Sequence, residues 1–340
     1  MTRKIILSIG TVLFTGIIIL CVYYYQQIFS EIVKKDGVIY IHTNDNIGDV
    51  KKELIEFIGD KNLFNWLADK KKYKNPKPGK YRISRGMSLN DVINLLRSGN
   101  QTPVKLTFNN QNSLEEFSSR ISQQIELDSL TILNAFKDSL FLQNQKLSKV
   151  SSLGILIPNT YEVFWNISKE QLRNRMLKEY RKFWNNDRMQ KAKKLKMSPS
   201  EVMTLASIVQ KETSKSIERP IVAGLYINRL VRGIPLQADP TIMYILKQQN
   251  KGFRKRVLFK DLKIKSPYNT YLNKGLPPSV IAMPDISSIE AVLNYRKHNY
   301  LYMCASSEKL GFHIFTNSLR QHNKNAMKYQ KWLNKQGINR

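Results

Sequence analysis

Cysteine is scarce in this 340-residue chain. Cys21 lies in an apolar run and Cys304 in a strand-like segment, so the fold does not rely on disulfides. There are four histidines, His42, His298, His313 and His322, without CxxC, HExxH or HxxxH pairing, which gives no metal site of familiar spacing. P-loop, RNP and zinc-finger signatures are also missing. Acidic residues are few, 26 Asp+Glu against 55 Lys+Arg, and the net charge is +29. That excess favours a polyanionic neighbour, whether nucleic acid, anionic lipid or an acidic wall polymer, although lysines scattered over solvated faces give the same total. What the chain does have is a globular composition, with 42% hydrophobic and 10% aromatic residues. Its length accommodates one anchor and two or three modest folded units.

One long stretch lacks charge altogether. No charged residue occurs from Ile5 to Phe29, and Ile5 to Tyr25 is long enough to cross a hydrocarbon core of ~30 Å as a helix. Arg3 and Lys4 precede it, which places the N-terminus in the cytoplasm and exports the body. The run closes on Cys21-Val22-Tyr23-Tyr24-Tyr25, bulky side chains that suit an interfacial aromatic belt and not a signal-peptidase site. Leu20 before Cys21 also fits a lipoprotein cleavage site poorly. Residues 1–4 are therefore expected as a cytoplasmic tail and residues 5–25 as an uncleaved single-pass transmembrane anchor. An exported body removes nucleic acid as its ordinary partner.

Beyond the anchor, Val38 to Thr43 predicts a strand and Ile47 to Ile58 an amphipathic helix, followed by a lysine-rich stretch from Lys70 to Lys80. Pro78-Gly79 turns the chain into a strand over Lys80 to Ser84. Ser88 to Asp91 has the pattern of a capping box, opening a helix through Leu96 that Gly99 ends. Residues 38–100 thus form a small α+β module. Ser113, with Glu116 three residues on, starts helical patterns that run to about Trp184, broken at Leu156 to Tyr161. Ser198-Pro199-Ser200-Glu201 combines an N-cap, a first-turn proline and a carboxylate three residues after the cap. A second helix is expected from Pro220 to Arg232. The stretch from Ile234 to Phe315 looks turn-rich, with short strands at Leu301 to Ala305 and Phe312 to Phe315, and Arg320 to Lys335 predicts a polar terminal helix.

Val202, Leu205, Ala206 and Val209 mark a buried stripe on the helix that starts at Ser198, and the next position on that face is Glu212. A carboxyl group on an apolar face is costly to ionise, so its pKa rises toward the range of a general acid. The other reading makes Glu212 half of a buried ion pair, with Arg229 as the candidate partner. Glu201 and Glu218 are expected as solvated helix-start charges.

The run Leu205 to Thr213 continues with Glu218-Arg219-Pro220, Val222-Ala223-Gly224, Asn228-Arg229-Leu230 and Pro235 to Thr241. Tyr268 to Tyr271, Gly275 to Pro278, Ile281 to Pro284, His313 to Phe315 and His322-Asn323 complete the series. In this order, over about residues 150–325, it resembles the YceG-like endolytic murein transglycosylases. Residues 38–100 more weakly resemble that family's LysM-like subdomain, through Gly79-Lys80-Tyr81 and Met87-Ser88-Leu89. The fold the resemblance implies is α+β: a single N-terminal transmembrane helix, a small LysM-like module and a mixed α/β catalytic domain over residues 105–335. The family segment Ile-Val-Glu-Lys-Glu-Thr carries its catalytic glutamate in second place, which maps onto Glu212, while Gln210 replaces the first glutamate. Asn159 stands where the family often has aspartate, and Leu153 precedes Gly154 where glutamate is frequent, so no acidic role is expected of that loop.

The resemblance implies a lyase acting on peptidoglycan glycan strands at the inner (cytoplasmic) membrane, with its catalytic domain on the outer side, beside cell-wall synthases of the penicillin-binding class. It implies no cofactor and no metal. A lytic transglycosylase needs one carboxyl group, whereas a glycoside hydrolase ordinarily needs two. Gln237, Asp239, Tyr268, Asn269 and His313 are suited to holding sugar hydroxyl and acetamido groups; alternatively Asp239-Pro240 and Asn269 are turn formers. Tyr271 and Phe315 are expected in the core. Two other functions fit the same residues: a muramidase with Glu212 as acid and Asp239 as base, and a non-catalytic wall-binding protein that holds glycan through the LysM-like module and its positive charge. That module is expected to bind and position glycan, with aromatics such as Tyr40, Trp66 and Tyr81.

Overall fold

The computed structural model describes residues 2–59, 61–145, 152–249 and 257–336. The architecture is α+β, divided into two compact units: residues up to 106 with 124–127 and 161–168, and residues 107–123, 128–160 and 169 onward.

The first unit opens with helix α1 (Thr2–Phe29), followed by β1 (Gly37–Ile41), α2 (Ile47–Ile58), α3 (Lys61–Lys70), β2 (Gly79–Ile83) and α4 (Leu89–Ser98). The 23-residue apolar stretch Leu7–Phe29 of α1 is about 34 Å long at 1.5 Å per residue, enough to cross a bilayer core. Strands β1 and β2 pair antiparallel with Ile39 opposite Tyr81. Strand alternation turns Ile39, Ile41, Tyr81 and Ile83 inward, where they share one core with Val50, Leu54 and Ile58 of α2 and with Leu89, Val92, Ile93 and Leu96 of α4. Both helices start on reciprocal capping boxes, Asn46 with Asp49 and Ser88 with Asp91, and Gly99 ends α4 in a left-handed conformation at φ 74°. Helix α3 is hidden in the sequence by its charged surroundings, yet it buries Phe64, Leu67 and Ala68. Tyr81 is fully buried and its hydroxyl donates to the Lys77 carbonyl, which corrects the expectation that this ring is offered to a glycan. The end of α1 is fastened to the turn before α4, since the amides of Ile32 and Val33 both donate to the Met87 carbonyl at 3.1 Å.

The chain crosses between units within β3 (Val104–Phe108) and β4 (Asn159–Val163), which pair with each other. The second unit holds α5 (Leu114–Ser122), α6 (Ser129–Lys137), α7 (Ser139–Asn144), α8 (Lys169–Phe183), α9 (Asn186–Lys194), α10 (Pro199–Glu212), α11 (Arg219–Val231), α12 (Asp239–Gln248) and α13 (Ile286–Leu293). Antiparallel strands β5 (Tyr302–Ala305) and β6 (His313–Thr316) and the terminal helix α14 (Leu319–Lys335) complete it. The stretch expected to be turn-rich thus contains two helices. Asp239-Pro240 opens α12 instead of making a turn, and Asp285 caps α13 by accepting the Ser288 amide at 2.7 Å.

Helix α10 is the centre of this unit. Ser198 and Glu201 form its capping box, as the sequence predicts. Instead of one buried stripe, however, every residue from Val202 to Val209 is buried, because α9, α11, α12 and α13 pack around it.

Candidate active site

Glu212 is the last residue of α10, where the buried run reaches the edge of the unit. Its side chain is half-buried, enclosed on most sides and still reachable from solvent. Burial raises its pKa from 4.5 to about 7, and the nearby Asp239 carboxylate pushes the same way. Two groups oppose them: the Tyr226 hydroxyl, which donates to Oε1 at 2.5 Å, and the charge of Arg229. The C-terminal end of a helix carries partial negative charge, which also disfavours the carboxylate. Tyr226 is itself buried, and with Glu212 beside it its own ionisation lies well above the usual range.

Arg229 does not pair with Glu212. Its Nε donates to the Leu301 carbonyl at 2.7 Å, and Nη1 donates to the carbonyls of Leu236 at 2.7 Å and Pro235 at 3.0 Å and to Gln237 Oε1 at 3.1 Å. The buried guanidinium therefore ties α11 to the loop before α12 and to the start of β5, and it reaches Glu212 only through its field.

Tyr226 and Arg229 are placed by the close seating of α11 against the segment Arg296 to Tyr300. Asn228 Nδ2 donates to the carbonyls of His298 at 2.7 Å and Tyr300 at 3.0 Å. Gly224 makes this approach possible, because a Cβ there would lie 2.4 Å from the Arg296 carbonyl oxygen and 2.8 Å from His298 Nε2. Gly224→Ala is expected to destabilise the protein by about 1–3 kcal/mol, despite the better helix propensity of alanine, because backbone must shift to admit the methyl. A thermal melt measures it; an unchanged or higher melting temperature would show that the segment yields freely.

The other residues singled out in the sequence divide into two groups. Gln237 and Asp239 are exposed; the Asp239 carboxylate acts electrostatically on Glu212, and Gln237 is linked to Arg229. Gln237 holds a positive φ of 52°, unusual for a side chain of its kind. The Thr270 carbonyl fixes it by accepting its amide at 2.9 Å. Tyr271 packs against the buried cluster of Ile242, Ile245 and Leu246, as expected of a core ring, but it is only half-buried and its hydroxyl donates to Asp239 Oδ1 at 2.5 Å. Tyr268 shares a hydrogen bond of 2.6 Å with Ser279. Asn269 is fully buried: its Nδ2 donates to the carbonyls of Leu262 and Ile264, and its Oδ1 accepts the Tyr271 amide. That corrects the expectation of direct sugar contact, since Asn269 builds the loop that carries its neighbours.

His313 meets Glu218, which is not at a solvated helix start as its sequence position suggests. Glu218 is buried. It accepts the His313 amide at 2.7 Å and the Thr213 hydroxyl at 3.0 Å, and its Oε2 lies 3.0 Å from His313 Nδ1. The carboxylate thus binds β6 to the turn that leaves α10. A cavity of about 480 Å³, lined by Met189, Lys193, Met197 and Pro199 among others, sits at the opposite end of α10, some 20 Å of helix from Glu212, and takes no part in this arrangement.

Known proteins resemble this chain over most of its length. An endolytic murein transglycosylase of Bacillus subtilis (strain 168) is 30% identical over 329 residues, covering 90% of this chain and 89% of the relative. One from Streptococcus pneumoniae serotype 2 is 28% identical, covering 78% of this chain and 53% of the relative. The crystal structure of a YceG-like protein from Listeria monocytogenes superposes with a TM-score of 0.58 at 27% identity, over 85% of this chain and 98% of that one. The YceG-like family model matches residues 39–328, and the chain belongs to that family.

Proposed function

We propose that this chain is a lytic transglycosylase, held at the cytoplasmic membrane by α1, that cuts peptidoglycan strands between N-acetylmuramic acid and N-acetylglucosamine. The observation that carries the reading is Glu212, a reachable carboxyl that keeps its proton to about pH 7 and is fixed by Tyr226. The relatives' printed names, endolytic murein transglycosylase, support the substrate class.

In this mechanism protonated Glu212 donates to the glycosidic oxygen as its bond to the muramyl C1 breaks, releasing the N-acetylglucosamine side as an alcohol. The Glu212 carboxylate, stabilised by the Tyr226 hydroxyl, then takes the proton of the muramyl C6 hydroxyl while that oxygen closes on C1. The product is a 1,6-anhydro ring and the acid is regenerated; water is not consumed. Gln237, Asp239, Tyr268 and His313 are assigned to holding the sugars. Digestion of purified sacculi by the full chain, followed by mass spectrometry, is expected to release muropeptides one water lighter than hydrolysis products. Reducing muramic ends in their place would overturn the reading.

A muramidase with Asp239 as base remains the second reading, because Asp239 is exposed and acts electrostatically on Glu212. Asp239→Asn separates the two. For the transglycosylase, loss of this negative charge lowers the Glu212 pKa below about 7. The reaction needs protonated Glu212, so the alkaline limb of the rate profile moves to lower pH while kcat at the optimum keeps most of its value, and the loss of a sugar contact shows in KM. For the hydrolase, the rate falls by roughly 10²–10⁴ at every pH.

The LysM-like module, residues 38–100, is assigned to positioning the glycan. In support, exposed Tyr40 packs its ring 5.0 Å from that of Trp165, and His42 lies 4.8 Å from the same indole, a surface cluster suited to stacking on a sugar face. Tyr40→Ala is expected to weaken co-sedimentation with sacculi and leave the products unchanged; a changed product would contradict this.

A further inference from the structure

The exposed positions of α3 fall on one helical face, residues 62, 65, 66, 69 and 70, opposite the buried Leu63, Phe64, Leu67 and Ala68. In the middle of this polar face stands Trp66, 47% exposed, a large apolar side chain that the core does not use. Its ring stacks on that of Tyr24, with centroids 6.3 Å apart and an interplanar angle of 30°. Tyr24 belongs to the apolar stretch Leu7–Phe29 of α1 and to its terminal run of tyrosines. At 1.5 Å per residue Tyr24 lies about 7.5 Å back along α1 from Phe29. Trp66 therefore shares the depth of the tyrosine belt, the level at which indoles settle between hydrocarbon and headgroups.

Positive charge accompanies it. Lys70 Nζ lies 6.0 Å from the Trp66 ring. Lys72 and Lys74 follow, both exposed, in a stretch from Lys70 to Lys80 that contains no acidic residue, so that Asp69, the one carboxylate on the exposed face of α3, is outnumbered by the lysines after it. This turn is held in place: Tyr73 is buried with its amide on the Ala68 carbonyl at 2.8 Å, and Arg97 donates to the Lys71 carbonyl at 3.0 Å. The lysines are thus presented from a fixed surface next to the indole.

We infer that this face of α3, with Trp66 and the lysines after it, is a docking surface for anionic phospholipid headgroups, so that the first unit lies on the bilayer. The inference rests on α1 spanning that bilayer, as under Proposed function. A lipid surface fits better than a glycan here, because a ring stacked on Tyr24 sits at belt depth, below the reach of a wall strand, and phosphate headgroups complement the lysines.

The test uses the full chain in lipid nanodiscs, neutral or containing phosphatidylglycerol, with acyl chains brominated near the headgroup. Bromine is expected to quench tryptophan emission in the parent, and Trp66→Phe, on an exposed face, is expected to lose most of that quenching while melting as the parent does. In phosphatidylglycerol discs the triple variant Lys70→Gln, Lys72→Gln, Lys74→Gln is expected to show roughly two-fold less Trp66 quenching, and added salt to act in the same direction. A chain that does not stay with the discs refutes the span itself. A chain that stays, with equal quenching in parent and Trp66→Phe, refutes the docking surface alone. Lysine substitutions that weaken binding to an anionic wall polymer and leave the quenching unchanged would likewise overturn it.

Discussion

Glu212→Gln is expected to lower the turnover of sacculi by roughly 10²–10⁴, the usual worth of a positioned proton donor, and to leave the protein at least as stable as the parent. The stability half follows from the raised pKa of about 7 against an ordinary 4.5. Below pH 4.5 both folded and unfolded chains carry the proton and pH has no effect through this group. Between pH 4.5 and 7 the folded chain binds more protons than the unfolded one, so stability falls as pH rises. Above pH 7 the full cost of the buried carboxylate is present, at most about 3 kcal/mol and less where water reaches the carboxyl. Glutamine never ionises, and its oxygen can still accept the Tyr226 hydroxyl. The gap in melting temperature between variant and parent should therefore open between pH 4.5 and 7 in the variant's favour. A variant that melts lower at pH 8 would reveal a structural charge pair, and one that releases anhydro-muropeptides at the parent's rate would remove the central claim.

Glu218→Ala should do the reverse: large loss of stability. The carboxylate serves the His313 amide, the His313 ring and the Thr213 hydroxyl from a buried position. Alanine leaves these groups without their acceptor, at a cost of about 3–5 kcal/mol, which corresponds to roughly 10 °C in melting temperature for a unit of this size. Calorimetry on the full chain checks it. A shift of a degree or two would mean that Glu218 is the solvated helix-start charge its sequence position suggests. Two glutamates six positions apart are thus expected to fail in different assays.

Why one of them is legible in sequence and the other is not is a matter of distance along the chain. Glu212 stands out because an apolar stripe of its own helix leads up to it, a local signal. The surroundings of Glu218 depend on β6, whose His313 folds over it from 95 residues away. Without that strand, a glutamate before Arg219-Pro220 looks like any charge at a helix start. Tyr226 is hidden for the same reason, being one apolar-face residue among several until α11 is laid against α10. The capping boxes of Ser88 and Ser198 read correctly because all their atoms lie within four residues. Helix α13, by contrast, follows a proline-rich stretch and is covered by partners distant in sequence, so its eight residues give too short a period to recognise. The pairing of β3 with β4, some fifty residues apart, has no local trace at all.

The unbroken burial of Val202 to Val209 has a consequence for control of the enzyme in a growing wall. An acid carried one turn past such a run has little swing: α10 cannot tilt without opening the core packed against it, and the Gln210 side chain ties the last turn to the Met283 carbonyl and the Asp285 amide. On the role proposed for Glu212, withdrawing it by moving α10 is therefore a costly off state. On that proposal, cutting is expected to be governed by what is brought within reach, through the delivery of strands to the site.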